Sequence, residues 1–381
     1  MHRYLVLGTG RQGTAAAYDL LHGGGDVVLV DGNAEAVHKA CAHLGLSQEK
    51  GHVADFRNRE MMLGFLQEAE GAVLAADYSL NLELTKWAIE AGCHTVDFGG
   101  NHDVVHSQHD LCDVAKAANV AIVPDTGLTP GLAGILVAGG VKRLDEPREA
   151  YIRVGGLPQT PEPPLNYALV FSVRGLTNEY LEESVVVEKG IKTTRPSMTG
   201  LETLHFGDRE FEAFLTSGGV STLPETFDGV LQHLDCKTIR YPGHAELIRF
   251  AFDIGFRGES PIEVAGQNVV PREVFEAMLS HSLPHNPPDE TLMRITVQGR
   301  KEGVESEVVY EMIDLYDPML KFTSMQKTTA WPGSLILAML VEGEIKERGV
   351  LYQERVVDCD LLVDRLRDRG IEISLKERVL S

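Results

Sequence analysis

The chain has 381 residues, 43% of them hydrophobic and 24% charged, which fits two globular domains able to bury a core without disulfide or metal. Its 35 basic and 56 acidic side chains give a net charge of −21, which argues against a general nucleic-acid or anionic-membrane binder. Five scattered cysteines without a CxxC pair fit free thiols in a reducing compartment, and neither a secretory leader nor an 18-residue apolar stretch is read, so a cytoplasmic protein is expected.

Tyr4 to Leu7 is an apolar run of strand length that opens into Gly8-Thr9-Gly10-Arg11-Gln12-Gly13. The Ala-rich stretch Thr14 to Leu21 predicts a helix, stopped at Gly23-Gly24-Gly25. Val27 to Val30 predicts a second strand, with Asp31 at its end. The alternation continues with strands at 52–54, 72–75, 95–97 and 120–123 and helices at 61–69, 80–91 and 104–118. Short apolar strands separated by helices predict a parallel sheet with right-handed crossovers, the α/β architecture of the doubly wound Rossmann-type fold. From about 149 the texture changes to alternating runs at 149–154, 167–173, 203–215 and 238–241. A hairpin follows, 291–298 and 305–315 around Gly299 to Gly303, so an antiparallel sheet and an inserted α+β domain are expected. After about 325 helix returns, at 333–341 and 358–368.

The GxGxxG loop has its full context: strand before, helix after, and an acidic residue 18 positions past the last glycine. Gly8 would make the tight turn, Gly10 would admit the pyrophosphate, and Gly13 would let helix and strand approach. The diphosphate would lie on free amides at the positive helix end. Asp31 would accept bonds from both ribose hydroxyls and repel a 2′-phosphate, so NAD is expected over NADP, with Arg11 as a cation able to reach a phosphate. Ligand chemistry in such sheets occurs at the carboxyl ends of the strands. There the sequence places Asp77-Tyr78-Ser79, assigned to the cofactor, then Asp97 to Asn101, and then Pro124-Asp125-Thr126-Gly127.

Together GTGRQG, VDFGGN, VPDTGLTPGLA, LDCKTIRYPGH and TTAWPGSLILAMLVEGEI, in that order over nearly the whole chain, resemble the saccharopine dehydrogenase-like family. The resemblance implies an NAD(P)-binding Rossmann domain from 1–127 plus 326–381, with a substrate and dimerisation domain, 128–325, inserted. It implies oxidation of a C–N bond, most closely that of the ε-amine of L-lysine, with saccharopine or carboxynorspermidine as alternative substrates. By resemblance Arg240 grips a substrate carboxylate, and a planar guanidinium suits two parallel bonds to that group. Tyr241 and His244 would line the same pocket, with Asp97 and Thr126 as further substrate contacts. A lysine ammonium, of reference pKa about 10.4, must lose a proton before it can lose hydride, and Asp125 and His244 are the candidate acceptors. A catalytically silent dinucleotide sensor is the reading from another class. The antiparallel sheet makes a homodimer or higher assembly the expected partner.

His102, His106 and His109 share one helical face near Asp103 and Asp110, a spacing able to hold a metal. The implied chemistry needs none, so a solvated face without metal is expected. Cys93 and Cys112 are expected to be buried structural thiols.

Overall fold

From Arg3 to Lys142 helix follows strand, as the alternation of short apolar runs with helical stretches requires. The computed structural model describes residues 1–169, 172–285 and 287–380. In chain order the strands are β1 (Arg3–Leu7), β2 (Asp26–Asp31), β3 (Gly51–Val53), β4 (Gly71–Leu74), β5 (His94–Asp97), β6 (Ala121–Val123), β7 (Glu146–Pro158), β8 (Ser184–Glu188), β9 (Ile191–Arg195), β10 (Glu202–Phe206), β11 (Arg209–Leu215), β12 (His233–Arg240), β13 (Ile262–Val264), β14 (Gln267–Val269), β15 (Asp289–Lys301), β16 (Val304–Leu315), β17 (Gly349–Val350) and β18 (Ile373–Val379). The chain divides into two units. The first is Met1–Arg143 with Ser221–Thr226 and Gln326–Glu372, and the second is Leu144–Val220 with Phe227–Met325 and Ile373–Ser381.

The first unit holds a sheet in the order β17-β6-β5-β4-β1-β2-β3, with every pair parallel. Parallel strands covered on both faces must be apolar throughout, and β4 and β6 are buried at every residue. The chain winds from β1 to β3, then returns to start β4 on the other side of β1. That reversal sets the carboxyl ends of β1 and β4 side by side, the switch point where such sheets bind ligands. The helix Arg11–His22 lies close to the sheet because Ala15, Ala16 and Ala17 are small and fully buried. The helix Ser324–Val341 carries the TTAWPGSLILAMLV segment. Trp331 Nε1 donates to the Ala15 carbonyl at 3.2 Å and Ser334 Oγ to Asp19 Oδ2 at 2.6 Å. The helix expected over 104–118 is two, His102–His109 and Cys112–Ala117.

The second unit is built on a nine-stranded sheet that runs β10-β11-β12-β7-β15-β16-β18, with β8 joining β12 to β9. The sheet is mixed rather than antiparallel. β7 and β12 pair in parallel, because the long connection between them brings the chain back in the same direction. β15 and β16 form the expected hairpin, closed by Glu302 and Gly303, both at positive φ as a two-residue turn requires. The run 203–215 breaks at Gly207 into β10 and β11. The strand expected over 167–173 does not form as read. Residues 170 and 171 lie outside the described residues, and a helix, Val173–Leu181, begins where Ser172 Oγ accepts from the Gly175 amide. Its core gathers Tyr167, Tyr180, Phe206, Phe211, Phe214, Ile239 and Leu292. Among the described residues no helix is long and apolar enough to cross a membrane.

Candidate active site

The residues singled out in the sequence fall into two groups, one in each unit. In the first, the backbone leaves β1 through Gly8 at φ +105, where a Cβ would overlap the carbonyl of Ala75 in the loop after β4. A Cβ on Gly13 would overlap the Gly8 carbonyl oxygen. Gly10 is the N-cap of the helix Arg11–His22, and a Cβ there would meet nothing within 4 Å. No side chain among the described residues caps this helix at Gly10, so its first turn presents the positive end of the helix dipole there. Among the described residues, Gln12 Oε1 on the first turn is buried with no hydrogen-bond partner. Uncapped amides fit a diphosphate, and the orphan acceptor fits a ribose hydroxyl. This loop can therefore hold a dinucleotide.

Asp31 ends β2 and anchors this loop. Its Oδ2 accepts from the Thr9 amide at 2.6 Å and Thr9 Oγ1 at 3.1 Å, and its Oδ1 accepts from the Asn33 amide at 2.9 Å. A carboxylate offers about four acceptor sites, so roughly one remains for a ribose hydroxyl, fewer than both hydroxyls need. After β4, Asp77 Oδ1 accepts from the Ser79 amide at 3.0 Å and Ser79 Oγ at 2.6 Å, which hold the Asp77 carboxyl below the usual range. Tyr78 is 41% exposed and packs against Gly100 of the loop after β5. Gly8, Thr9, Gly10, Arg11, Gln12, Gly13, Asp31, Asp77, Tyr78 and Ser79 thus all lie at the carboxyl ends of β1, β2 and β4.

The loops after β5 and β6 meet around two buried carboxyls. Asp97 Oδ1 accepts from the amides of Gly99 at 2.8 Å and Asp125 at 3.1 Å, and Oδ2 accepts from Gln108 Nε2 at 2.8 Å. The Asp97 carbonyl accepts from the Thr126 amide and from Thr126 Oγ1, both at 2.8 Å. Asp97 and Thr126, expected to contact substrate, are buried and turned inward, where they brace the loops. Asp125 is held differently. It has left-handed φ, +57°, and seats against Gly99, where a Cβ would overlap its Oδ1. Ser221 Oγ donates to Oδ2, whereas Oδ1 is buried with no partner among the described residues. Burial, reinforced by the Asp97 charge, pushes Asp125 up to about 7 despite the Ser221 bond.

In the second unit Arg240, at the end of β12, is 2% exposed. Its Nε donates to Tyr180 Oη at 2.9 Å and its Nη1 to the Ile239 carbonyl at 2.9 Å. Its Nη2 lies 3.8 Å from Glu179 Oε2, and its guanidinium stands 4.7 Å from the Tyr167 ring centroid. Against the penalty of burial, Tyr180, Tyr167 and Glu179 keep the guanidinium charged. Burial pushes Glu179 up to about 7 although Arg240 pulls it down. His244 Nδ1 lies 3.1 Å from the Leu165 carbonyl and must donate to it, so Nε2 accepts from Tyr180 Oη at 3.1 Å. Burial and then Arg240 push His244 down to about 3. Both ring nitrogens are engaged, so His244 is a poor proton acceptor, contrary to the role expected for it. Tyr241 Oη lies 3.0 Å from the Pro158 carbonyl and 3.1 Å from Glu290 Oε1, a contact inside the sheet rather than at Arg240.

Residues 4–123 match the model of the saccharopine dehydrogenase NADP binding domain, and residues 127–371 match that of the saccharopine dehydrogenase C-terminal domain. The chain belongs to the saccharopine dehydrogenase family. As a member it is a dinucleotide-binding oxidoreductase, and its cofactor is a nicotinamide dinucleotide. Among solved structures it is similar to the apo, histidine-tagged saccharopine dehydrogenase (L-Glu forming) from Saccharomyces cerevisiae. The TM-score is 0.81 at 16% identity over 100% of both chains, a likeness of fold. A dehydrogenase from Clostridium difficile gives a TM-score of 0.41 at 11% identity over 97% of this chain and 99% of that one. A dehydrogenase from Bordetella pertussis in complex with NADH and UDP-GlcNAcA gives 0.40 at 13% over 100% and 98%.

Several residues around this family member's candidate groups were not legible as such in the sequence. Ser221 lies 96 residues from Asp125, and Gln108 reaches Asp97 from a helix. Glu179 and Tyr180 sit on the helix Val173–Leu181, which was not expected and begins at the last residue of the strand expected over 167–173. Only Gly99-Gly100 gave a local sign, and both are at positive φ. The histidine face is also rearranged. His109 stacks on Tyr352 with centroids 4.2 Å apart, and burial pushes it down to about 4. Cys93 is fully buried with its thiol pushed up by burial, and Cys112 is partly buried.

Proposed function

We propose that the protein oxidises the ε-amino carbon of L-lysine with NAD and water, giving 2-aminoadipate 6-semialdehyde, NADH and ammonia, a lysine 6-dehydrogenase activity. The semialdehyde then cyclises to piperideine-6-carboxylate. Asp125 carries this reading. A primary ammonium of reference pKa about 10.4 must be deprotonated before its carbon is oxidised. A carboxyl held near neutral pKa, with one buried oxygen that has no partner among the described residues, is matched to taking that proton at physiological pH. When bound, the nicotinamide dinucleotide supplies the hydride acceptor. Gly8, Gly10, Gly13 and the first amides of the following helix hold its diphosphate. Asp31 sets the preference for NAD, since its carboxylate repels a 2′-phosphate.

Arg240 takes the substrate's α-carboxylate in exchange for Glu179, which leaves as the neutral acid that its raised pKa favours. The second reading, oxidation of a secondary amine of the saccharopine type, is favoured by the two family matches and uses the same groups. One assay separates the two. Purified protein is given NAD and L-lysine, NADH absorbance is followed, and the semialdehyde is trapped with o-aminobenzaldehyde. Turnover with lysine is expected. Turnover with saccharopine alone transfers the activity to the second reading, and NAD binding without turnover on any amine overturns both.

A further inference from the structure

His102 and His106 are one turn apart on the helix His102–His109, so their side chains leave the same face. Their rings stand edge-on, with centroids 4.2 Å apart and an interplanar angle of 86°, and Nε2 faces Nε2 at 2.8 Å. The third member comes from elsewhere in the sequence. Glu225 lies in the short segment Ser221–Thr226, which belongs to the first unit although the chain on either side of it belongs to the second. One ligand atom from each of His102, His106 and Glu225 lies within 4.8 Å of the other two. We propose that these three residues form a binding site for one divalent transition-metal ion of the zinc class.

The geometry needs little adjustment. Zinc takes imidazole nitrogen at about 2.0–2.1 Å and carboxylate oxygen at about 2.0–2.2 Å in tetrahedral array, which sets two nitrogen ligands roughly 3.3 Å apart. Opening the Nε2 pair from 2.8 Å by about half an ångström therefore admits the ion. The pair now shares one proton, since two imidazole nitrogens at this distance need one donor and one acceptor. On binding, the donor ring's proton passes through solvent from Nε2 to its own Nδ1, so both rings ligate through Nε2 in the neutral form with no net proton released. Two histidines and one carboxylate leave the fourth position for water. The donor set is nitrogen-rich, which selects zinc, nickel or cobalt over magnesium or calcium. His109, which shared the face in the sequence, is not a ligand, because its ring lies on Tyr352. The ion would fasten the helix after β5 to the segment that carries Ser221, the donor to Asp125.

The test is metal binding to the full chain stripped with chelator, with excess Mg2+ present to fill non-specific acidic sites. Zn2+ titrated by competition with a chromophoric chelator should bind at one equivalent per chain and raise the thermal midpoint. Co2+ should give the intense visible bands of a tetrahedral site. His106→Ala and Glu225→Gln should each weaken Zn2+ at least about 100-fold and abolish the thermal shift. His109→Ala should leave the affinity unchanged, and circular dichroism of each metal-free variant checks that it is folded. Equal affinity in wild type and both ligand variants overturns the site, as does equal loss in His109→Ala. Absence of Zn2+ binding tighter than millimolar overturns it too. None of these readouts uses catalysis, so they stand apart from the assay with lysine.

Discussion

Asp125→Asn separates function from stability. Asn has nearly the same shape and tolerates the left-handed φ of +57° at this position. The carboxyl titrates near 7 in the folded chain against a reference of 3.8. An acid raised by folding binds its proton more tightly in the native state. Stability from this group is therefore greatest at low pH, falls as pH rises from about 4 to about 7, and stays low above that. About three pKa units at 1.36 kcal/mol each give a cost of about 4 kcal/mol above pH 7, less than half of it already present at pH 5. Removing the charge abolishes the pH-dependent part. Placing an amide nitrogen at the unpartnered Oδ1 position adds a penalty of about 1–3 kcal/mol that does not change with pH. The quantity to measure is thus the difference. Urea unfolding of wild type and variant should favour Asn by about 2–3 kcal/mol more at pH 9 than at pH 5. On the proposed reaction, the same variant should lose most of kcat and the limb near pH 7 in kcat/KM. A pH-independent stability difference, or one that favours Asp at high pH, refutes the assignment of Asp125 as a neutral buried acid.

Gly13→Ala drives a methyl into the Gly8 carbonyl oxygen, so the loop must shift. NADH affinity measured by fluorescence should fall at least about tenfold, and stability by about 1–3 kcal/mol; unchanged NADH affinity counts against the cradle. Asp31→Ala removes the repelling carboxylate, and the NAD to NADP ratio of kcat/KM should drop at least about tenfold, or 1.4 kcal/mol. Wild type that already prefers NADP by tenfold contradicts the role given to Asp31. Arg240→Ala should raise KM for lysine by the equivalent of about 2–4 kcal/mol. It should also lower the melting temperature, because Tyr180 and Glu179 lose their partner. An unchanged KM in folded protein removes Arg240 from substrate binding.

The first unit was largely readable because its information is local. Each strand of the parallel sheet is a short apolar run, each turn carries its own glycine or cap, and GxGxxG with Asp31 fixes the phosphate loop within 31 residues of the start. The TTAWPGS segment was recognisable as a motif, but its work was not. Trp331 and Ser334 contact the helix after the glycine loop, more than 300 residues away in sequence. The second unit was read as antiparallel because alternation reports a half-buried strand and not its neighbour. Only the tertiary structure set β7 parallel to β12, added the two-residue β17, and turned 173–181 into a helix.

The chemistry divides in the same way. Sequence determined which residue types stand at the carboxyl ends of the strands, because strand length and turn residues place them there. It did not determine their protonation or direction, since both depend on neighbours brought in from afar. Burial and then the Asp97 charge make Asp125 an acid near 7 against the pull of Ser221, whereas a backbone carbonyl and Tyr180 leave His244 a neutral spectator. Glu225 joins two histidines it is far from in sequence. A residue's identity is a local fact, but its electrostatic surroundings are made by packing, and packing alone decided what these groups can do.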